Sequence, residues 1–141
     1  MIQAGCDTSR KALWTGRTLS ALAILFLALD SLGKLVEAAP VVAGTIQLGY
    51  PPTVVFGLGV VLLLCVAVYV VPVTSILGAV LLTGYLGGAV ATHVRVGNPL
   101  LSHTLFPTYV AALAWGGLFL RDARLRALFP WRSGSGYKEK P

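Results

Sequence analysis

The residues with the chemistry to bind or react fall into two groups. Asp30, Lys34 and Glu37 form the first, and His93, Arg95 and His103 the second. At about 100° per residue on a helix, Lys34 lies about 40° from Asp30 and Glu37 about 20° to the other side, so the three share one face. Carboxylates, an ammonium and imidazoles brought together would make a polar pocket for a ligand headgroup, or a proton-handling site. His93 is the group best suited to change charge near neutral pH. The structural alternative is a salt-bridge cluster that fixes one helix against another, with Lys34 and Glu37 reaching toward an interface. A metal site drawn from His93, His103, Asp30 and Glu37 has no HxxxH or HExxH spacing behind it, so none is expected. Cys6 and Cys65 form no CxxC pair, and Cys65 reads as a small buried apolar residue. No phosphate-cradling glycine loop and no Ser/His/Asp arrangement is present.

The rest of the chain says where these charges sit. Its 141 residues are 56% hydrophobic and only 11% charged, against about 25% charged in soluble domains. Mean hydropathy is +0.80. A single soluble core of this size cannot hold so many apolar side chains with so few charges for its surface. Four apolar segments, 18–36, 53–71, 75–94 and 104–120, are each long enough to span about 30 Å at about 1.5 Å per residue. The pattern predicts an all-α fold, a transmembrane four-helix bundle in a lipid bilayer. Pro72 stops the second span and Thr74 or Ser75 opens the third; Pro107 falls in the first turn of the fourth. Residues 37–52, with Ala39-Pro40 and Leu48-Gly49-Tyr50-Pro51-Pro52, read as a long loop, and 95–103 as a short turn. The connection between the second and third spans is so short that they must pair antiparallel.

Charge sets the expected orientation. Arg10, Lys11 and Arg17 precede the first span; Arg121, Arg124, Arg126, Arg132, Lys138 and Lys140 follow the fourth. An even number of spans puts these nine of the eleven basic residues on one side, which the positive-inside rule makes cytoplasmic. The net charge of +6 therefore serves topology, and nucleic-acid binding is not expected. The organisation is a basic arm (1–17), a membrane domain (18–120) and a basic cytoplasmic tail (121–141). The tail is expected to lie on the inner membrane surface with Leu120, Leu125, Leu128, Phe129 and Trp131 toward the membrane and its three arginines on anionic headgroups. A cleaved signal peptide is the less favoured reading of the first segment, because Asp30 and Lys34 interrupt it and Pro40 follows the candidate site. The same topology gathers Asp30, Lys34, Glu37, His93, Arg95 and His103 in the outer half of the bundle. Two acids and two fixed bases there nearly cancel.

The third span carries a stripe of small residues. Ala79, Thr83, Gly87 and Ala91 recur every four positions beside the row Gly84, Gly88 and Thr92. Such a stripe lets a neighbouring backbone approach closely. The second or fourth span is the expected partner, and a homodimer through the stripe is the alternative. Gly57 and Gly59 read as packing glycines of the second span. Tyr85 and Trp115 are candidates to line a cavity for a flat or isoprenoid ligand, although aromatics within spans more often pack.

Several of these features together resemble the DoxX-like family of small four-helix membrane proteins. The likeness is carried by Asp30 and Lys34, Leu48-Gly49-Tyr50-Pro51, and Tyr69 through Ser75. It continues in the run from Gly78 to Ala89, Thr92-His93-Val94-Arg95, Trp115 and Leu120-Arg121-Asp122, and spans residues 15–130. Some members of that family are membrane subunits of thiosulfate–quinone oxidoreductases, and others are tied to oxidant defence. The resemblance implies a bacterial-type inner-membrane protein, a non-catalytic subunit or small-ligand binder beside a redox-protein partner. The alternative it implies is a quinone-linked oxidoreductase subunit whose Asp30, Lys34 and His93 hydrogen-bond the quinone. No cofactor ligand set is evident, and a quinone is the one candidate. Transport is disfavoured by the lack of an inverted repeat or broken helix.

Overall fold

The computed structural model describes residues 10–128, and among them every regular element is helical. Helix α1 spans Arg10–Leu35, α2 Ala39–Gln47, α3 Val55–Val70, α4 Ser75–Arg95, α5 Phe106–Arg121 and α6 Ala123–Leu128. A 3-10 turn, Pro52–Val54, leads into α3, and a π-helical turn, Leu100–Thr104, leads toward α5. Helices α1, α4 and α3 with its leading turn are long and apolar enough to cross a membrane. The fourth apolar segment is helical as α5, but its 16 residues leave it outside that group. Part of the expected N-terminal arm is helical, since α1 begins at Arg10.

Helices α1 and α4 each pack against both α3 and α5. Tyr69, only 1% exposed, ties the set together. Its hydroxyl donates to the Ala114 carbonyl of α5 (2.8 Å) and lies 3.0 Å from Ser20 Oγ of α1. Its backbone rests on Gly78 of α4, where any Cβ would collide with it. Gly117 and Gly16 make the matching approach between α5 and α1: a Cβ on Gly117 would stand 2.6 Å from the Ser20 nitrogen and 2.8 Å from the Gly16 carbonyl. Leu27, Leu62, Leu82 and Leu118 fill the space between these contacts. The outward surface is itself apolar, with Leu25, Leu29 and Leu64 more than half exposed. That is what a lipid-facing exterior requires.

The tight α3–α4 connection follows from Pro72. Lacking an N–H, it leaves the Val68 carbonyl without its helical donor, and Thr74 Oγ1 supplies one at 2.8 Å. The chain reverses there and starts α4 at Ser75, as expected.

Two expectations are corrected. Residues 37–52 are not a plain loop: Pro40 suits the first turn of a helix, and α2 runs on until Gly49 (φ +84) closes it with the Tyr50 N–H on the Thr45 carbonyl. Val41 of α2 folds back against Gly33 of α1, where a Cβ would come within 3.0 Å. The second correction concerns the small-residue stripe. Ala79 and Thr92 are buried, but Thr83, Gly84, Gly87, Gly88 and Ala91 are exposed. A Cβ at Gly84, Gly87 or Gly88 would meet nothing within 4 Å, so these residues do not pack α4 onto its own chain. Gly57 is equally open, whereas Gly59 is closely packed. The close approaches belong to Gly16 and Gly117 between α1 and α5, Gly59 between α1 and α3, and Gly78 between α3 and α4, rather than to a stripe.

Candidate functional site

Where α1 and α4 finish, two cavities share the side chains of Asp30 and His93. The first, about 430 Å³, lies beneath α2 and is lined by Thr45, Gln47, Asn98 and His103 as well. The second, about 200 Å³, runs between α1, α4 and α5 along Phe26, Leu27, Tyr85, Leu86, Phe106 and Val110. One is polar and the other apolar, and Asp30 and His93 stand at their junction. An open groove of about 260 Å³ on the far side of Tyr85 is bordered by Tyr50, Gly84 and Gly88.

Asp30 Oδ2 accepts from Lys34 Nζ one turn further along α1, so each charge finds its partner within the same helix. The Lys34 side chain is 12% exposed and that of Asp30 32%. Lys34 therefore does not reach out to an interface; it is enclosed. Gly59 of α3 makes this possible, since a Cβ there would stand 2.8 Å from Lys34 Cβ. Ser31 Oγ donates to the Gly59 carbonyl at 3.3 Å and fixes the same crossing. An ion pair made inside one helix does not join two helices, so the expected salt-bridge lock between spans is absent from this pair.

His93 stands in the last turn of α4. Asn98 Nδ2 donates to its Nδ1 at 2.8 Å, while the Asn98 N–H binds the His93 carbonyl at 3.1 Å. A neutral ring so held carries its proton on Nε2, the nitrogen left for a ligand. His103 comes from the π-helical turn, with its ring centroid 6.3 Å from that of His93 and Ser102 Oγ 2.8 Å from its Nδ1. In that turn Thr104 and Leu105 donate to the carbonyls five residues back, Pro99 and Leu100, and Thr104 Oγ1 donates to the Asn98 carbonyl. The same turn thus holds both His103 and the orienting amide. Phe106 meets Phe26 edge-on, centroids 5.1 Å apart, and narrows the apolar cavity.

Of the expected site residues, Asp30, Tyr85, His93 and His103 line these two cavities and Lys34 is joined to them through Asp30; Glu37 and Arg95 line neither. Glu37 is exposed at φ +50, ending α1 in the left-handed position usually held by glycine, with the Ala38 N–H bonded to the Gly33 carbonyl. Arg95 Nη2 donates to the Leu48 carbonyl at 2.8 Å and so pins the end of α2 to α4. Tyr50, which the sequence did not single out as a site residue, adds a second tie there: Thr92 Oγ1 donates to the Gly88 carbonyl and accepts from Tyr50 at 2.9 Å. Trp115 borders none of these three cavities; its Nε1 donates to Thr83 Oγ1 at 2.8 Å and joins α5 to α4. Asn98, Thr45 and the roof formed by α2 were missed. Pro40 and Gly49, spaced as a helix start and stop, were the signal for α2; nothing marks Asn98 beyond its place in Gly97-Asn98-Pro99. Among the described residues no three His, Cys, Asp or Glu side chains group closely enough to hold a metal ion.

An apolar exterior, helices of spanning length and ionisable groups folded inward define a small helical membrane protein. Residues 18–117, well over half of the chain, match the model of the DoxX-like family, and the chain belongs to that family. No curated protein and no solved structure matches it.

Proposed function

We propose that this chain binds the polar head of a small amphiphile between Asp30, His93 and His103, as a non-catalytic subunit or ligand binder beside a membrane redox system. The observation that carries the reading is the junction itself: a polar cavity of about 430 Å³ and an apolar one share Asp30 and His93. The polar cavity falls within the roughly 300–1,000 Å³ typical of ligand sites. A quinone fits this division. Its ring carbonyl would accept from His93 Nε2–H, and its isoprenoid chain would follow Phe26, Tyr85 and Phe106. In the same proposal α5 completes a four-helix transmembrane bundle. Both termini lie on the cytoplasmic side of a bacterial-type inner membrane, as the nine basic residues flanking the spans favour. The outward small-residue face of α4 is where a partner subunit or a second copy would approach.

The second reading, a quinone-linked oxidoreductase subunit, is favoured by one feature of the site. Asp30 and an imidazole oriented by Asn98 stand where a reduced ring would take up protons, and a partner protein would supply the electrons. Equilibrium binding of decylubiquinone to the chain in lipid nanodiscs tests the shared core of both readings. His93→Gln and Asp30→Asn are each expected to weaken binding about tenfold or more, the loss of one charged or well-oriented hydrogen bond. Equal binding by wild type and both variants would remove the site.

A further inference from the structure

The opposite end of the molecule holds a cavity of about 330 Å³ that neither reading uses. Three arginines line it: Arg17 from α1, Arg121 from the end of α5, and Arg124 from α6. Asp122 is the one acid in its wall, and Asp122 is already engaged. Its Oδ1 accepts the Arg124 backbone N–H at 2.8 Å as the cap of α6, and its Oδ2 pairs with Arg124 Nη2 at 3.2 Å. Arg124 Nη2 also donates to the Pro72 carbonyl at 2.8 Å, which fixes α6 to the α3–α4 turn. That pair is neutral, leaving the charges of Arg17 and Arg121 unmatched by any acid among the described residues.

Arg121 is the more telling of the two. Its guanidinium lies 5.4 Å from the Tyr69 ring centroid, and its Nε and Nη2 are buried with no hydrogen-bond partner among the described residues. Enclosed guanidinium donors without acceptors are costly and call for an acceptor. Ser75, the first residue of the 21-residue α4, forms another part of the wall. The side chain of the preceding Thr74 is spent on the Val68 and Val71 carbonyls and caps none of the helix N–H groups. The positive end of the α4 dipole therefore adds to the field of the arginines.

We infer that this cavity is a site for a phosphate-type oxyanion, held by Arg17 and Arg121 and by the open N-terminus of α4. Two sources carry that chemistry: the headgroup of an anionic phospholipid and a free phosphate. The site lies at the end of the helices opposite the amphiphile cavity, and its occupancy is independent of what that cavity binds.

The test is native mass spectrometry of the full chain ejected from nanodiscs of phosphatidylcholine containing a minor fraction of phosphatidylglycerol. A parallel arm measures the thermal transition in pure phosphatidylcholine nanodiscs, in inorganic phosphate against chloride at equal ionic strength. Wild type is expected to retain one phosphatidylglycerol preferentially, or to be stabilised by phosphate; the first outcome assigns the site to lipid and the second to a soluble anion. Arg17→Gln should weaken the affinity behind that retention or stabilisation about tenfold, as the loss of one charged contact does. Arg121→Gln should do the same, and Arg17 keeps the test valid if losing the Tyr69 contact unfolds that variant. Lys11→Gln removes an equal charge from an exposed position outside the cavity and should leave occupancy unchanged. Loss of binding equal in Lys11→Gln and Arg17→Gln would show general surface charge and overturn the proposal. So would the absence of both preferences in wild type.

Discussion

Where α1 and α4 finish, charge is matched locally and space is left open: Lys34 folds onto Asp30 within α1, His93 is oriented by Asn98, and two cavities meet at their side chains. Where α1 begins and α5 ends, the backbones are pressed together through Gly16, Gly117 and Gly78, and positive charge is left in excess around Arg17 and Arg121. The difference teaches how register is set in this molecule. Ionisable groups at membrane depth are expensive, and pairing them inside one helix removes the need for them to lock helices together. That task falls instead to backbone crossings: Tyr69, Gly16, Gly78 and Gly117 near the opposite end, and Gly59 against Ser31 and Lys34 at the cavity end.

Two glycines of α4 break this comparison most sharply. Gly78→Ala puts a Cβ into the Tyr69 backbone and is expected to lower unfolding free energy by about 1–3 kcal/mol, the cost of overpacking. Gly84→Ala, on the open face, should leave stability unchanged or raise it by up to about 1 kcal/mol through helix propensity. Reversible unfolding in mixed micelles measures both; equal losses would mean that the open face is not open. Next comes Lys34→Met, which strands the half-buried Asp30 carboxylate. It should cost about 2 kcal/mol, and the double variant with Asp30→Asn should recover part of that in a mutant cycle. Additive losses would contradict an ion pair closed within α1.

A smaller gain is expected at the end of α1. Glu37→Gly relieves the left-handed backbone of a residue that lines neither cavity at the Asp30–His93 junction, stabilising by up to about 1 kcal/mol with ligand binding unchanged. A change in binding would return Glu37 to the site. The smallest effect is expected in acid. The hydrogen bond from the Arg124 side chain, outweighing partial burial, holds the Asp122 carboxyl below its ordinary value of 3.8. Its contribution is therefore fully present above that value and is lost as pH falls through the lowered one. Asp122→Asn should flatten this part of a stability–pH curve; an unchanged curve would show that the cap contributes nothing.

How much of this was legible in the residues depended on the range of the interaction. The apolar runs placed the helices to within a few residues, save that α1 begins earlier than expected, because burial in lipid acts along a whole segment. Helical spacing put Lys34 on the face of Asp30, and topology alone brought His93 and His103 to the same end. What one helix face sees across a crossing was not legible. The α4 stripe has the spacing of a packing motif, yet Gly78, just outside it, makes the contact, because Tyr69 arrives there from a turn set by Pro72. Arg95 and Glu37 share the right end but not the right face, since α2 draws one to the Leu48 carbonyl and the helix stop turns the other outward. Within the tail, Leu125 is buried against the protein, Leu128 is exposed and Arg124 donates to the Pro72 carbonyl. Phe129, Trp131 and Cys6 lie outside the described residues.

The central claim is that the Asp30–His93 junction holds the head of an amphiphile. Native mass spectrometry of the protein released gently from its own membrane tests it most directly. Wild type is expected to retain a quinone-sized mass that is lost in Asp30→Asn while the chain keeps its helical content. A bare wild-type chain, or one whose retained mass survives Asp30→Asn, would contradict it.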